Sequence, residues 1–208
     1  MDIAAAAPPL VDLWFPVQGR TLPRDHRELL TRALTARLPW LAAEPGSGVH
    51  RMNVAAGGAG DAPALLSGRT RLTLRLPRRR AGLAAATLAG QTLVVGRDRL
   101  RLGNPQQREL LPHRTLYAHF VVAPADDEAA FLAMVEDELH GLGVRCRPVC
   151  GRRLDVAADG ALLPGFSLML DGLGRDDALR VLLAGLGPRR PMGCGLFVAH
   201  KSAAAVGE

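Results

Sequence analysis

Hydrophobic patterning runs through the order β-α-β-β-α-β twice along this chain, and that double pass restricts it to few architectures. In the first pass, residues 11–17 form a short apolar run closed by Gly19 and Pro23, which predicts a strand. Pro23 and Asp25 signal a helix start, and Leu29, Leu30, Ala33, Leu34, Ala36 and Leu38 recur at helical spacing as far as Trp40. Residues 49–54 are a second candidate strand. Residues 69–76 alternate polar and apolar, predicting a half-buried strand whose outward face carries Arg69, Arg71, Thr73 and Arg75. A short helix over 78–89 and a hairpin over 91–102, turning at Gly96-Arg97-Asp98, complete the pass. Residues 103–114, rich in Asn, Pro and Gln, read as a linker.

The second pass has a strand at 115–122 and a helix at 126–142, with acidic residues early as the helix dipole favours. Strands at 144–149, 152–156 and 166–170 follow, then a helix at 175–183 and a closing strand at 196–199. The predicted fold class is α+β, with two tandem ferredoxin-like (RRM-like) domains at 10–111 and 112–200. A length of 208 residues accommodates two domains of about 100 residues each.

Between the last helix and the last strand lies Gly185-Leu186-Gly187-Pro188-Arg189-Arg190-Pro191-Met192-Gly193-Cys194-Gly195. Glycine permits positive φ and close backbone approach. Successive free backbone N–H groups in such a turn make an anion-binding concavity, and Arg189 and Arg190 add bidentate phosphate donors. A P-loop is excluded, because no Gly-Lys followed by Ser or Thr occurs. A dinucleotide fingerprint is excluded too, because Arg190 stands where its third glycine belongs and the loop precedes a strand. The alternative to a phosphate-gripping loop is a tight αβ turn without a ligand.

Net charge is +6, mostly arginine, which favours an acidic partner such as nucleic acid. GC-rich coding, visible in the heavy Ala, Gly, Leu and Arg usage, weakens that argument. Cys146, Cys150 and Cys194 make an odd count without a second pair for a zinc site, and they read as reduced thiols. No metal site or cofactor is expected. Residues 1–9 show neither the basic n-region nor the long apolar run of a signal peptide, and no apolar run approaches the ~20 residues a membrane span needs, so a cytoplasmic location is expected.

Four short motifs add support to this. They are Leu13-Trp14-Phe15-Pro16-Val17, the helix start Leu22-Pro23-Arg24-Asp25-His26, Leu38-Pro39-Trp40-Leu41, and Met192-Gly193-Cys194-Gly195-Leu196-Phe197-Val198. With the glycine loop and the doubled fold, they make the chain resemble the RAMP proteins from about residue 11 to 199. Within these, it is most similar to the CRISPR-associated endoribonucleases of the Cas-six family in type I systems. The resemblance implies binding of the CRISPR repeat in a precursor RNA and a single cut at its base, without metal. It also implies retention of the mature guide RNA, in company with other subunits of an interference complex. Two other readings stay open: a non-cleaving RAMP-type scaffold, and a generic RNA-binding module with RRM-like halves. The aromatic-rich motif of an RRM platform strand is absent, which counts against the latter.

Metal-free RNA cleavage needs a base for the ribose 2′-OH, charge to offset the phosphorane-like transition state, and an acid for the leaving 5′ oxygen. Histidine suits both proton transfers. The resemblance makes His26, in the first turn of the first helix, the leading catalytic candidate of the N-terminal domain; His50 is the second. His113, His119, His140 and His200 rank lower, and His119 reads as structural. The family's helper tyrosine or lysine has no clear match in Tyr117 or Lys201; Arg20, Arg24 or Arg27 can supply charge. The RNA-binding candidates are Gly185, Gly187, Arg189, Arg190, Gly193 and Gly195 of the loop, and Arg152 and Arg153 beside Gly151. Arg78, Arg79 and Arg80 are either an RNA-facing helix start or a solubilising run.

Overall fold

In the computed structural model, the described residues are 8–55 and 63–200. The flexible low-complexity loop expected at 57–63, apart from Pro63, and the disordered tail expected at 201–208 lie outside them. The chain divides into two compact units. The first takes residues 1–24 and 32–110, and the second takes 25–31 and 111–208.

The first unit is built on β1 (Leu10–Gln18), in which Val11, Leu13, Phe15 and Val17 are buried while Asp12, Trp14 and Pro16 are half-buried. This period of two places the apolar set on one face. After β2 (Thr21–Leu22) comes α1 (Arg27–Thr35), whose first residues belong to the second unit, then β3 (Gly48–Val49) and β4 (Ala64–Leu65). Next are β5 (Arg71–Pro77), α2 (Arg78–Leu88), β6 (Thr92–Val95), β7 (Asp98–Leu102) and β8 (Gln106–Glu109). The main sheet runs β3-β5-β1-β7-β6, with β8 also on β1, and β2 pairs β4 separately.

Three local expectations differ from the structure. α1 ends at Thr35, and a 3-10 turn follows at Pro39–Ala42, where the predicted helix ran on to Trp40. Pro39 has no N–H to continue an α-helix, and its ring disfavours helical geometry at Leu38. Of the 49–54 run only Val49 lies in a strand, paired together with Gly48 before it. The expected linker holds β8, which pairs β1 from Val11↔Glu109 to Trp14↔Gln106. All four of its side chains are exposed, so no hydrophobic pattern marks it.

The second unit contains β9 (Thr115–Val122), α3 (Glu128–Gly141), β10 (Arg147–Ala158), β11 (Ala161–Asp171), α4 (Arg175–Ala184) and β12 (Phe197–Ala199). Asp127 caps α3 by accepting the Ala129 N–H at 2.9 Å. The sheet order is β10-β11-β9-β12, all antiparallel. First and last strands are therefore neighbours, as a ferredoxin-like unit requires. The two strands expected at 144–149 and 152–156 are one, with an irregularity between Cys150 and Arg153. α3 and α4 pack against the sheet, with Phe131 of α3 on Phe166 at 4.8 Å between ring centroids. Among the described residues no helix is long and apolar enough to cross a membrane.

Candidate nucleic-acid interface

The glycine loop opens where α4 stops. Gly185, Gly187, Gly193 and Gly195 have φ of +63°, +69°, +77° and +65°, the left-handed region that side chains disfavour. Its two glycine pairs close on each other: Leu186 N–H donates to Gly195 O at 3.2 Å. A Cβ at Gly185 would sit 2.6 Å from Gly195 O, and one at Gly195 would collide with Leu186 O. The glycines thus allow backbone to cross backbone.

The amide groups of the loop are also engaged. Gly185 donates to Val181 O at 2.8 Å, Gly187 to the Glu138 carboxylate at 2.8 Å and Gly195 to Phe120 O at 2.8 Å. Met192 donates to Arg189 O at 2.9 Å, and Gly193 to Arg190 O at 2.8 Å, closing a 3-10 turn at Arg190–Met192. The loop is therefore a largely closed knot, in which most of the amides expected to form an open cradle are bonded within the fold. Its external chemistry comes from the arginines. Arg189 takes φ +67° and reaches Asp159 Oδ2 at 2.7 Å from Nη1; Asp159, at the β10–β11 turn, is the other non-glycine with positive φ among the described residues, at +52°. The Arg190 guanidinium lies against Gly185.

The start of α1 is sewn to this loop and to β10. Arg27, 8% exposed, donates from Nη1 to Met192 O at 3.2 Å and Gly193 O at 3.1 Å. Its Nη2 stands 3.4 Å from His119 Nδ1, and its Cζ lies 5.6 Å above the Phe120 ring. Arginine can only donate, so a hydrogen bond in this contact requires His119 Nδ1 as the acceptor. Thr31 Oγ1 donates to Pro191 O at 2.7 Å. Asp25 accepts from Ala157 N–H at 3.0 Å, and Glu28 from Asp159 N–H at 3.3 Å. These contacts account for residues 25–31, with His26, grouping with the second unit.

The profile of the family described as Cas6 Crispr matches residues 11–202. The "CRISPR-associated endonuclease Cas6" of Myxococcus xanthus (strain DK1622) is 39% identical over 197 residues, which is 94% of this chain and 84% of that protein. The chain belongs to the Cas6 family. Two solved structures share its fold at 10% identity. One, "CRISPR associated protein Cas6", has a TM-score of 0.66 and covers 92% of this chain and 100% of its own. The other, "An RAMP protein binding different RNA substrates", has a TM-score of 0.67 and covers 90% and 98%. The tandem ferredoxin-like architecture is thus that of the Cas6 and RAMP proteins.

Against this Cas6 frame the candidate residues separate. His26 is only 2% exposed, and its carbonyl accepts the Leu30 N–H at 2.7 Å. His50 belongs to the first unit, where its Nε2 stands 3.4 Å from Asp12 Oδ1. Arg75 holds the same carboxylate bidentately at 2.8 and 3.0 Å, and at 1% exposed it is buried rather than outward-facing as expected. Burial alone would raise the Asp12 carboxyl. The hydrogen bond and charge of His50, with those of Arg75, overcome this and hold it well below the carboxylate range. Arg153 is paired with Asp126 and, at 2.7 Å, with Asp155. Arg152 is exposed and anchored only through its N–H, on Ser167 Oγ at 2.8 Å; among the described residues its guanidinium has no partner. A Cβ at Gly151 would collide with that same Ser167 Oγ.

Arg78 pairs with Glu109, and Arg79 and Arg80 share Glu44, so each guanidinium of that run has a carboxylate partner within the first unit. Burial pushes the thiols of Cys146, Cys150 and Cys194 up to about 11, with neighbouring carboxylates adding to it at the first two. None is a ready thiolate at neutral pH. Among the described residues no three His, Cys, Asp or Glu side chains gather into a metal-holding set. What sequence reasoning missed is the tie through Arg27 and Thr31. Its acceptors are backbone carbonyls some 160 residues away, which no motif records.

Proposed function

We propose that this Cas6-family endonuclease binds the repeat of precursor CRISPR RNA and cuts it into guide RNAs without metal. The ribose 2′-OH attacks the adjacent phosphorus. The O2′–P bond forms, the P–O5′ bond breaks, and the 5′ oxygen takes up a proton, leaving a 2′,3′-cyclic phosphate and a 5′-OH. His26 serves the proton transfers, and Arg189, Arg190 and Arg152 bind phosphates. Product retention within a type I interference complex belongs to the same reading. The "CRISPR-associated endonuclease Cas6" at 39% identity supports an endonuclease reaction. The observation that supports the residue roles is the Arg27 tie, which holds the segment of His26 against the loop of Arg189 and Arg190.

The test is incubation with the repeat RNA of its own locus in EDTA, beside His26→Ala and His50→Ala. The expected outcome is cleavage by the unmodified protein, loss with His26→Ala, and cleavage retained with His50→Ala. Cleavage that survives His26→Ala contradicts the role of His26 and passes it to His119, the half-exposed histidine beside Arg27.

A further inference from the structure

One face of the second unit's sheet is divided along its strands. At one end Phe120, Val156 and Ala158 are covered by Met192 and Cys194 of the glycine loop, with Val122, Leu154 and Leu163 packed around them. At the other end a rung of four side chains crosses the whole sheet in register: Val149↔Met169, Met169↔Tyr117 and Tyr117↔Val198. Directly paired residues point to the same face. Val149 is 36% exposed and Val198 41%, while Tyr117 and Met169 are half-buried. The neighbouring positions along β9, Leu116 and Ala118, are buried on the opposite face. The rung is therefore an accessible apolar strip with one aromatic ring at its centre.

Polar groups border the strip. The Tyr117 ring has His119 edge-on at 6.4 Å and His200 tilted at 5.3 Å. His119 leads directly to Arg27. On the other side the next rung brings Arg147 in register with Asp171, which pairs with it at 2.9 Å and accepts from Thr115 Oγ1 at 2.8 Å. An apolar strip with an aromatic centre, hydrogen-bonding side chains at its rim and a net positive chain is what unpaired nucleotides need: a ring to stack on and charge for their phosphates. Trp14, an aromatic on the first unit's first strand, already carries the Arg71 and Arg108 guanidiniums 5.1 and 4.9 Å from its ring.

We infer, on the basis of the RNA-processing reading, that the Tyr117 rung is a stacking site for unpaired nucleotides of the RNA, beside the Arg27–His119 contact. It is a second binding element, distinct from the glycine loop, and it selects single-stranded RNA. The base lies on Tyr117 between Met169 and Val198, and the flanking phosphate meets the side of the sheet where Arg27 and His119 lie.

The test measures binding of two labelled RNAs by fluorescence anisotropy. One is a 2′-O-methyl oligouridine of about eight nucleotides, a usual span for single-strand sites, which has no 2′-OH to react. The other is a blunt hairpin with the repeat's stem. Tyr117→Ala should weaken oligouridine binding by about tenfold or more, the range of one lost stacking contact. Tyr117→Phe should stay within about twofold of the unmodified protein, because the ring is kept, and hairpin affinity should be unchanged in both. Unchanged oligouridine binding in Tyr117→Ala overturns the inference and leaves the strip for a protein partner. So does a Phe variant as weak as the Ala one, or an equal loss on the hairpin, which reports general damage. If the unmodified protein binds the oligouridine but cuts no repeat RNA, the cleavage reading fails and the stacking site stands. If it cuts repeat RNA but ignores the oligouridine, the reverse holds.

Discussion

At the scale of single residues, burial and charge oppose each other in Asp12. Its carboxylate sits within the first unit's sheet, and the partners that keep it ionised are Arg75, across the strand pair, and His50. A native carboxyl held below its unfolded value of about 3.9 stabilises the fold above that pH, and loses this contribution as pH falls through about 4 toward the native value. Thermal melts of the unmodified protein should therefore drop as pH is lowered through about 4. Asp12→Asn removes the carboxylate that the buried Arg75 holds bidentately, so it should cost about 3–5 kcal/mol at neutral pH and flatten the acid dependence. Equal acid dependence in the two proteins would contradict the assignment. Arg27 works through position. Arg27→Met removes both loop contacts, and single-turnover cleavage should fall by about 100-fold, the order expected when a reacting geometry slips by an ångström. RNA affinity should change far less, and Arg27→Lys should recover part of the rate.

At the scale of elements, the glycine loop is a closed knot whose residues are fixed by sterics. Gly195→Ala places a side chain at φ +65° and against Leu186 O. Backbone strain alone should cost about 1–3 kcal/mol, and the collision adds to it. Differential scanning should show a lower melting temperature, with RNA affinity reduced in parallel. Gly172→Ala, also at positive φ but with open space around its Cβ, should lose only the backbone part. Here the sequence was readable in its placing and less so in its purpose. The doubled Gly-x-Gly, the preceding helix and the following strand were all legible from local pattern. That the amides point inward was not, because their acceptors, Phe120 O and the Glu138 carboxylate, come from distant elements. β8 escaped for a related reason: its pairing is purely backbone, and Gln106, Gln107, Arg108 and Glu109 bury nothing that periodicity could detect. By contrast the strand at 115–122 was legible residue for residue, because apolar alternation and flanking turns agreed.

At the scale of the whole molecule, two ferredoxin-like units in tandem were legible because each half repeats one order of elements. The helix start at residues 25–31 joining the second unit was not legible, since it depends on side chains reaching across the sequence. A net charge of +6 predicts that repeat-RNA affinity falls steeply with salt. Replacing Arg152 with Ala should lower the slope of log K against log salt by roughly one counterion, because its guanidinium is exposed and without a partner among the described residues. Arg153→Ala, which removes a cation already paired with Asp126 and Asp155, should lower it less. Equal slopes for the two variants would contradict the distinction between them.

The central claim is metal-free cleavage through the RNA's own 2′-OH, and product-end analysis in EDTA tests it most directly. Repeat RNA of the protein's own locus should be cut once, yielding a 2′,3′-cyclic phosphate and a 5′-OH. A single 2′-deoxy substitution at the cut should abolish cleavage, and His26→Ala should slow it by about 100-fold or more. A cut that appears only when metal is added, that leaves a 3′-OH, or that survives the 2′-deoxy substitution would contradict the account.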